Sequence, residues 1–154
     1  MASSDRSSNW WQRIHYIREA LRTGLRPLNA VGSVPPRSGV HKGEISWIDP
    51  DGLAESLGQA AAPVIVDVRG PEEFDGDLGH LAEARNIALP ELLGRIGELA
   101  PYRDRDLVLV CHTQMRSARA ATLLRGANFR KVAVLRGGMV EWRRRGLPIA
   151  DQSS

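Results

Sequence analysis

The sequence holds one cysteine, Cys111, and the residues around it suit nucleophilic chemistry. Cys111 closes the apolar run Leu107–Val110. It is followed by His112, Thr113, Gln114, Met115, Arg116 and Ser117, and then by a helical stretch with small residues, Ala118 and Ala121, on its inner side. A loop of that length wrapped around a thiol can turn the N–H groups of residues 112–116 toward the sulfur. The positive end of the following helix adds to them. Such surroundings favour the thiolate, which is the nucleophilic form and a minor species of free cysteine at neutral pH. The plainer reading is an inert small core residue at the end of a strand, but it leaves the loop and Arg116 unexplained. A lone cysteine forms no internal disulfide. His15, His41, His80 and His112 lack the spacing of zinc ligands, so no metal site is expected.

Holding that cysteine at an edge calls for a layered scaffold. Residues 64–68 (Val-Ile-Val-Asp-Val), Leu107–Val110 and Val132–Leu135 are short β-rich runs without apolar–polar alternation, as in strands covered on both faces. Shorter strands are expected at 45–47 and near 86–88. Asp49-Pro50 opens a helix carrying Leu53, Ala54 and Leu57, and further helices are expected over 90–99, 117–125 and 138–145. This order predicts an α/β domain over 44–150. It is a single open, mostly parallel β-sheet of about five strands with helices on both faces and right-handed crossovers. Ligands of such sheets sit beyond the carboxyl ends of the strands. Arg69, Cys111 with His112, and Arg136 each follow a strand and fall at that edge.

Three separated segments resemble the rhodanese-like sulfurtransferase domain, over roughly residues 44–149. Val66-Asp67-Val68-Arg69-Gly70-Pro71-Glu72-Glu73-Phe74 is similar to the family's D-V-R-x-x-x-E-F, and Gly79-His80-Leu81 through Ala84-Arg85-Asn86-Ile87 to its G-H-I-x-G-A-x-N-I. Cys111-x4-Arg116-Ser117 resembles the active-site loop. Leu135-Arg136-Gly137-Gly138-Met139-x-x-Trp142, ending Gly146-Leu147-Pro148, resembles the C-terminal signature.

The resemblance implies that Cys111 takes a sulfane sulfur from a donor such as thiosulfate, becomes a persulfide, and passes the sulfur to cyanide or a thiol, with no cofactor. The loop reading agrees, with His112, Thr113, Gln114, Met115 and Arg116 as the cradle; the strand-end positions of Arg69, Arg116 and Arg136 further suggest an electropositive mouth that binds an anionic donor. Asp67 and Ser117 support the loop, Asp67 by accepting its N–H groups or by pairing with Arg116 or Arg69. Cysteine phosphatases have C-x5-R, one residue longer, so the shorter loop suits sulfur over a tetrahedral phosphate. Gln114 and Glu83 stand where the family often has glycine, and Arg136 where an acidic residue is common. His80 reads as a turn or packing residue and Trp142 as core. The alternative to an enzyme is a persulfide carrier or interaction module dedicated to one protein acceptor; a cysteine phosphatase is the third reading.

The remainder of the 154-residue chain adds an N-terminal extension over 1–43. Asn9 and Gln12 resemble a capping box, and Trp10, Ile14, Ile17 and Leu21 form one stripe of an amphipathic helix over about 9–23. A Pro/Gly-rich linker follows. Seven of the 21 basic residues but only two of the 18 acidic ones (Asp5 and Glu19) lie in the first 42 positions, so the positive net charge of +3 comes from this extension, at +5, and the rest of the chain is slightly negative, at −2. The body carries no basic stripe with aromatic platforms, and nucleic acid is not an expected partner. Self-association through the amphipathic helix is an expectation, and membrane association is not. Arg13, His15, Arg18 and Glu19 interrupt any secretory apolar core, which points to a cytoplasmic location, although an organelle leader would look similar.

Overall fold

The computed structural model describes residues 44–150. The expected helix over 9–23, the linker and the self-association assigned to them lie outside the described residues.

Five strands form one sheet: β1 (Ser46–Ile48), β2 (Val64–Asp67), β3 (Arg85–Asn86), β4 (Leu107–Val110) and β5 (Val132–Leu135), in the order β1-β5-β4-β2-β3. Every pair is parallel. Helices α1 (Pro50–Leu57), α2 (Pro71–Phe74), α3 (Met115–Gly126) and α4 (Gly138–Arg144) connect or follow the strands. Among the described residues no helix is long and apolar enough to cross a membrane.

The apolar runs lack alternation because both faces are covered. Along β4, Leu107 and Leu109 enter one core layer with Ala120, Ala121 and Leu124 of α3, while Val108 and Val110 enter another with Leu53 of α1 and Met139 and Trp142 of α4. The three central strands β2, β4 and β5 therefore each contribute to two cores, the arrangement of a parallel sheet covered on both faces. Ala120 and Ala121, fully buried, present little bulk at the α3–sheet contact. Trp142 is core, and its indole N–H donates to the Pro148 carbonyl at 2.8 Å.

The chain leaves β2 toward β3 on one side and β4 toward β5 on the other, so the order reverses between β2 and β4. A crevice at such a point is where ligands of open parallel sheets bind. Asp67 ends β2 and Cys111 follows β4, one on each side of it.

One expected helix is different. Residues 90–99 form parts of two 3₁₀ segments, Leu89–Glu91 and Ile96–Tyr102, instead of an α-helix. Pro90 and Pro101 each lack an N–H donor, and Gly94 and Gly97 add backbone freedom, so the stretch turns tightly without a continuous i→i−4 ladder. Glu83, where the family often has glycine, keeps a glycine-like conformation at φ 60°.

Candidate active site

Cys111 continues the alternation of β4, so its side chain falls on the α3 face, among Val66, Leu109 and Ala121, and is 1% exposed. The helix that follows begins at Met115. Its first N–H groups have no carbonyl a turn earlier and need outside acceptors. Gln114, at the N-cap, supplies no capping oxygen. The sulfur fills that place: the Ser117 N–H donates to Cys111 Sγ at 3.4 Å. Among the described residues this is the hydrogen bond the sulfur accepts. The amides of residues 112–116, expected to face it, do not bond to it. They precede the helix or lie in its first two positions, and the N–H that points back at the strand end is the third.

The loop is held from outside by α4. The Met139 N–H donates to the Cys111 carbonyl at 2.9 Å and the Val140 N–H to the His112 carbonyl at 3.1 Å. A trans peptide points its N–H opposite its C=O, so the amides of His112 and Thr113 face away from α4. Close approach is possible only because residue 138 is glycine, at φ +57°. A Cβ there would lie 2.2 Å from the Thr113 carbonyl oxygen and 2.5 Å from that of Cys111. Gln114 completes the attachment, its Oε1 accepting the Gly137 N–H at 3.0 Å. Its φ of −166° is ordinary extended backbone, so this position needs no glycine here.

Of the three cations expected at the mouth, Arg69 and Arg116 are turned onto partners of the fold and Arg136 stays exposed. Arg69 is completely buried. Its Nε lies 3.0 and 3.1 Å from the two Asp67 carboxylate oxygens, and its Nη2 donates to Asp67 Oδ2 and to the Gly79 carbonyl, each at 2.7 Å. Nη1 takes the Glu73 carbonyl at 2.9 Å. With its donors engaged inside the fold, Arg69 offers none to a substrate, and its assignment to binding is corrected to a structural one. Asp67 pairs with Arg69, not with the loop amides or Arg116.

Arg116 forms a two-pronged pair with Glu73, at 2.6 and 2.8 Å. The guanidinium holds the Glu73 carboxyl down at about 2, and Glu73 in turn raises Arg116 above its ordinary value. Arg116 is thus an anchor tying the loop to α2. Glu73 was missed as a site residue, although it is the glutamate of the x-x-x-E-F segment. His112, exposed, has Nδ1 3.8 Å from Glu73 Oε1. Arg136 is the exposed cation of the three, with its side chain 59% exposed, Nε 3.1 Å from Asp49 Oδ1 and its guanidinium over Trp47. Thr113 and Met115 are also exposed. His80 stacks on Phe74 at 3.7 Å and bonds its carbonyl through Nδ1, as a packing residue does. Among the described residues, no group of three His, Cys, Asp or Glu side chains could hold a metal ion.

This layered parallel sheet, with a strand-end cysteine under a helix N-terminus, defines a class that the comparisons identify. The family model for the rhodanese-like domain matches residues 49–145. A sulfurtransferase of Allochromatium vinosum is 31% identical over 105 residues, 68% of this chain and 94% of that protein. A probable adenylyltransferase/sulfurtransferase, MoeZ of Mycobacterium tuberculosis, is 36% identical over 105 residues, 67% of this chain but 26% of that protein. Three further curated relatives are matched over 40–59% of their own length. The crystal structure of a rhodanese-related protein from Thermoplasma volcanium superimposes with a TM-score of 0.61 at 28% identity, covering 68% of this chain and 97% of that one. The chain belongs to the rhodanese-like domain family.

Proposed function

We propose that the protein is a sulfurtransferase that carries a sulfane sulfur as a persulfide on Cys111, from a small donor such as thiosulfate to a thiophilic acceptor such as cyanide or a thiol. In the first step the Cys111 thiolate attacks the outer sulfur of thiosulfate. The new S–S bond forms as the donor's S–S bond breaks, sulfite leaves with the bonding pair, and Cys111 holds an S–S⁻ group. In the second step the acceptor attacks that outer sulfur and Cys111 leaves as thiolate, giving thiocyanate when the acceptor is cyanide. This is two-step covalent catalysis of the ping-pong kind.

The observation carrying the reading is the placement of Cys111 Sγ at the start of α3, accepting the Ser117 N–H at 3.4 Å, within a loop whose carbonyls α4 holds turned outward. Oriented amides and a helix N-terminus stabilise negative charge on whatever sulfur occupies the loop. The C-x4-R spacing and the near-complete burial of Cys111 favour a substrate that presents one sulfur atom over one that presents a phosphate. The family and its relatives named as sulfurtransferases support the same chemistry.

Thiocyanate production from thiosulfate and cyanide tests the proposal. Wild-type protein is expected to turn over and Cys111→Ser to lose all activity above background. An inactive wild type, or an active Cys111→Ser variant, would reject it.

A further inference from the structure

Ser117 is fully buried, yet its Oγ has no hydrogen-bond partner. A buried hydroxyl left unpaired is costly, and native structures rarely keep one without a use for it. Serine and threonine inside helices can spend the hydroxyl on the carbonyl four residues back. This chain does so elsewhere: Ser56 Oγ donates to the Gly52 carbonyl at 2.8 Å and Thr122 Oγ1 to that of Ala118 at 3.3 Å.

Ser117 has lost that option for a visible reason. Four residues back is Thr113, which precedes α3. Its carbonyl oxygen is turned to the α4 start, 2.2 Å from where a Gly138 Cβ would be. The same packing that orients the active-site loop therefore leaves this hydroxyl without its local acceptor. It belongs to the residue whose N–H already meets Cys111 Sγ, on the α3 face that carries Ala120, Ala121 and Leu124 toward the Cys111 core layer. A hydroxyl rotates freely to suit a new acceptor.

We propose that Ser117 is a further catalytic residue: its hydroxyl is kept without a partner in the neutral thiol form and donates to the negative charge that appears on the Cys111 sulfur, or on the sulfur it carries. No proton is transferred; one hydrogen bond forms as the charge forms. The inference extends the sulfurtransferase reading to a second residue, but its first half concerns the thiolate alone and needs no sulfur donor.

Because Cys111 is the single cysteine of the chain, thiolate absorbance in the ultraviolet reports on it alone, with Cys111→Ser as the blank. Ser117→Ala and Ser117→Gly remove the hydroxyl and keep the backbone N–H; Ser117→Thr keeps both. The other charged groups near the sulfur, Arg116 with Glu73, Arg69 with Asp67, and His112, are the same in all variants. Both hydroxyl-free variants are expected to move the pH profile of the thiolate signal upward by about one unit, the size of a hydrogen bond to a charged group. Ser117→Thr is expected to restore the wild-type profile. The melting temperature of Ser117→Ala should equal or exceed that of the wild type, since an unpaired buried hydroxyl is lost. A Ser117→Ala profile that coincides with wild type, or a Ser117→Thr profile displaced as far as Ser117→Ala, would overturn the inference and leave sulfur transfer by Cys111 untouched. Failure of the thiosulfate assay with a displaced Ser117→Ala profile would do the reverse.

Discussion

Arg69, Arg116 and Arg136 carry the same charge near the ends of neighbouring strands, and each has a different use. Arg69 is turned inward onto Asp67, Arg116 onto Glu73, and Arg136 stays at the surface beside Asp49. Their positions at the strand edge are legible from strand order. Their partners are not: Glu73 and Arg116 lie 43 residues apart and meet only because β2 and β4 are neighbours in the sheet. The Glu73 pair has a pH signature. Its carboxyl titrates at about 2 in place of 4.5, so the stabilisation is fully present above about 4.5 and is lost as pH falls through 2. Glu73→Gln is therefore expected to lower the melting temperature by about 4 °C at neutral pH, the scale of a well-formed surface pair. That difference should close between pH 4.5 and 2, and a gap independent of pH over that range would contradict the assignment. Arg136 is the exposed cation, so Arg136→Glu is expected to raise KM for thiosulfate about threefold or more through lost attraction. KM for an uncharged persulfide donor should change less, and an equal change for both donors would reject the role.

At the scale of elements, the loop takes its form from the helices at its two ends. α3 begins beneath the sulfur, and α4 donates its Met139 and Val140 N–H groups to the loop carbonyls. The Gly-Gly pair after β5 was legible as a signature, but its purpose was not, since only the fold brings residue 138 against residues 111–113. Gly138→Ala tests that contact. A Cβ at 2.2–2.7 Å from three carbonyl oxygens, on a residue at positive φ, must push the loop away. The expected cost is roughly 2–3 kcal/mol in urea unfolding, with activity falling further than stability explains. Gly126→Ala, at the end of α3 where an added Cβ meets nothing within 4 Å, is the control and should be neutral to slightly stabilising. The α-helix expected over 90–99 failed on the same kind of ground. Pro90, Gly94 and Gly97 within that stretch, with Pro101 just beyond it, break it into tight turns.

In the whole molecule, the two-sided core was the most legible feature. Val64–Asp67, Leu107–Val110 and Val132–Leu135 lack alternation because the helical connections of a parallel sheet cover both of its faces. The switch in strand order between β2 and β4 then delivers Cys111 to the edge where parallel sheets bind ligands. The central claim is that a sulfur atom resides on this cysteine between donor and acceptor, and intact-protein mass after brief exposure to thiosulfate measures it directly. The account predicts one added sulfur atom on the wild type, removed by cyanide, and none on Cys111→Ser. A folded wild type that gains no sulfur, or a Cys111→Ser variant that gains as much, would contradict it.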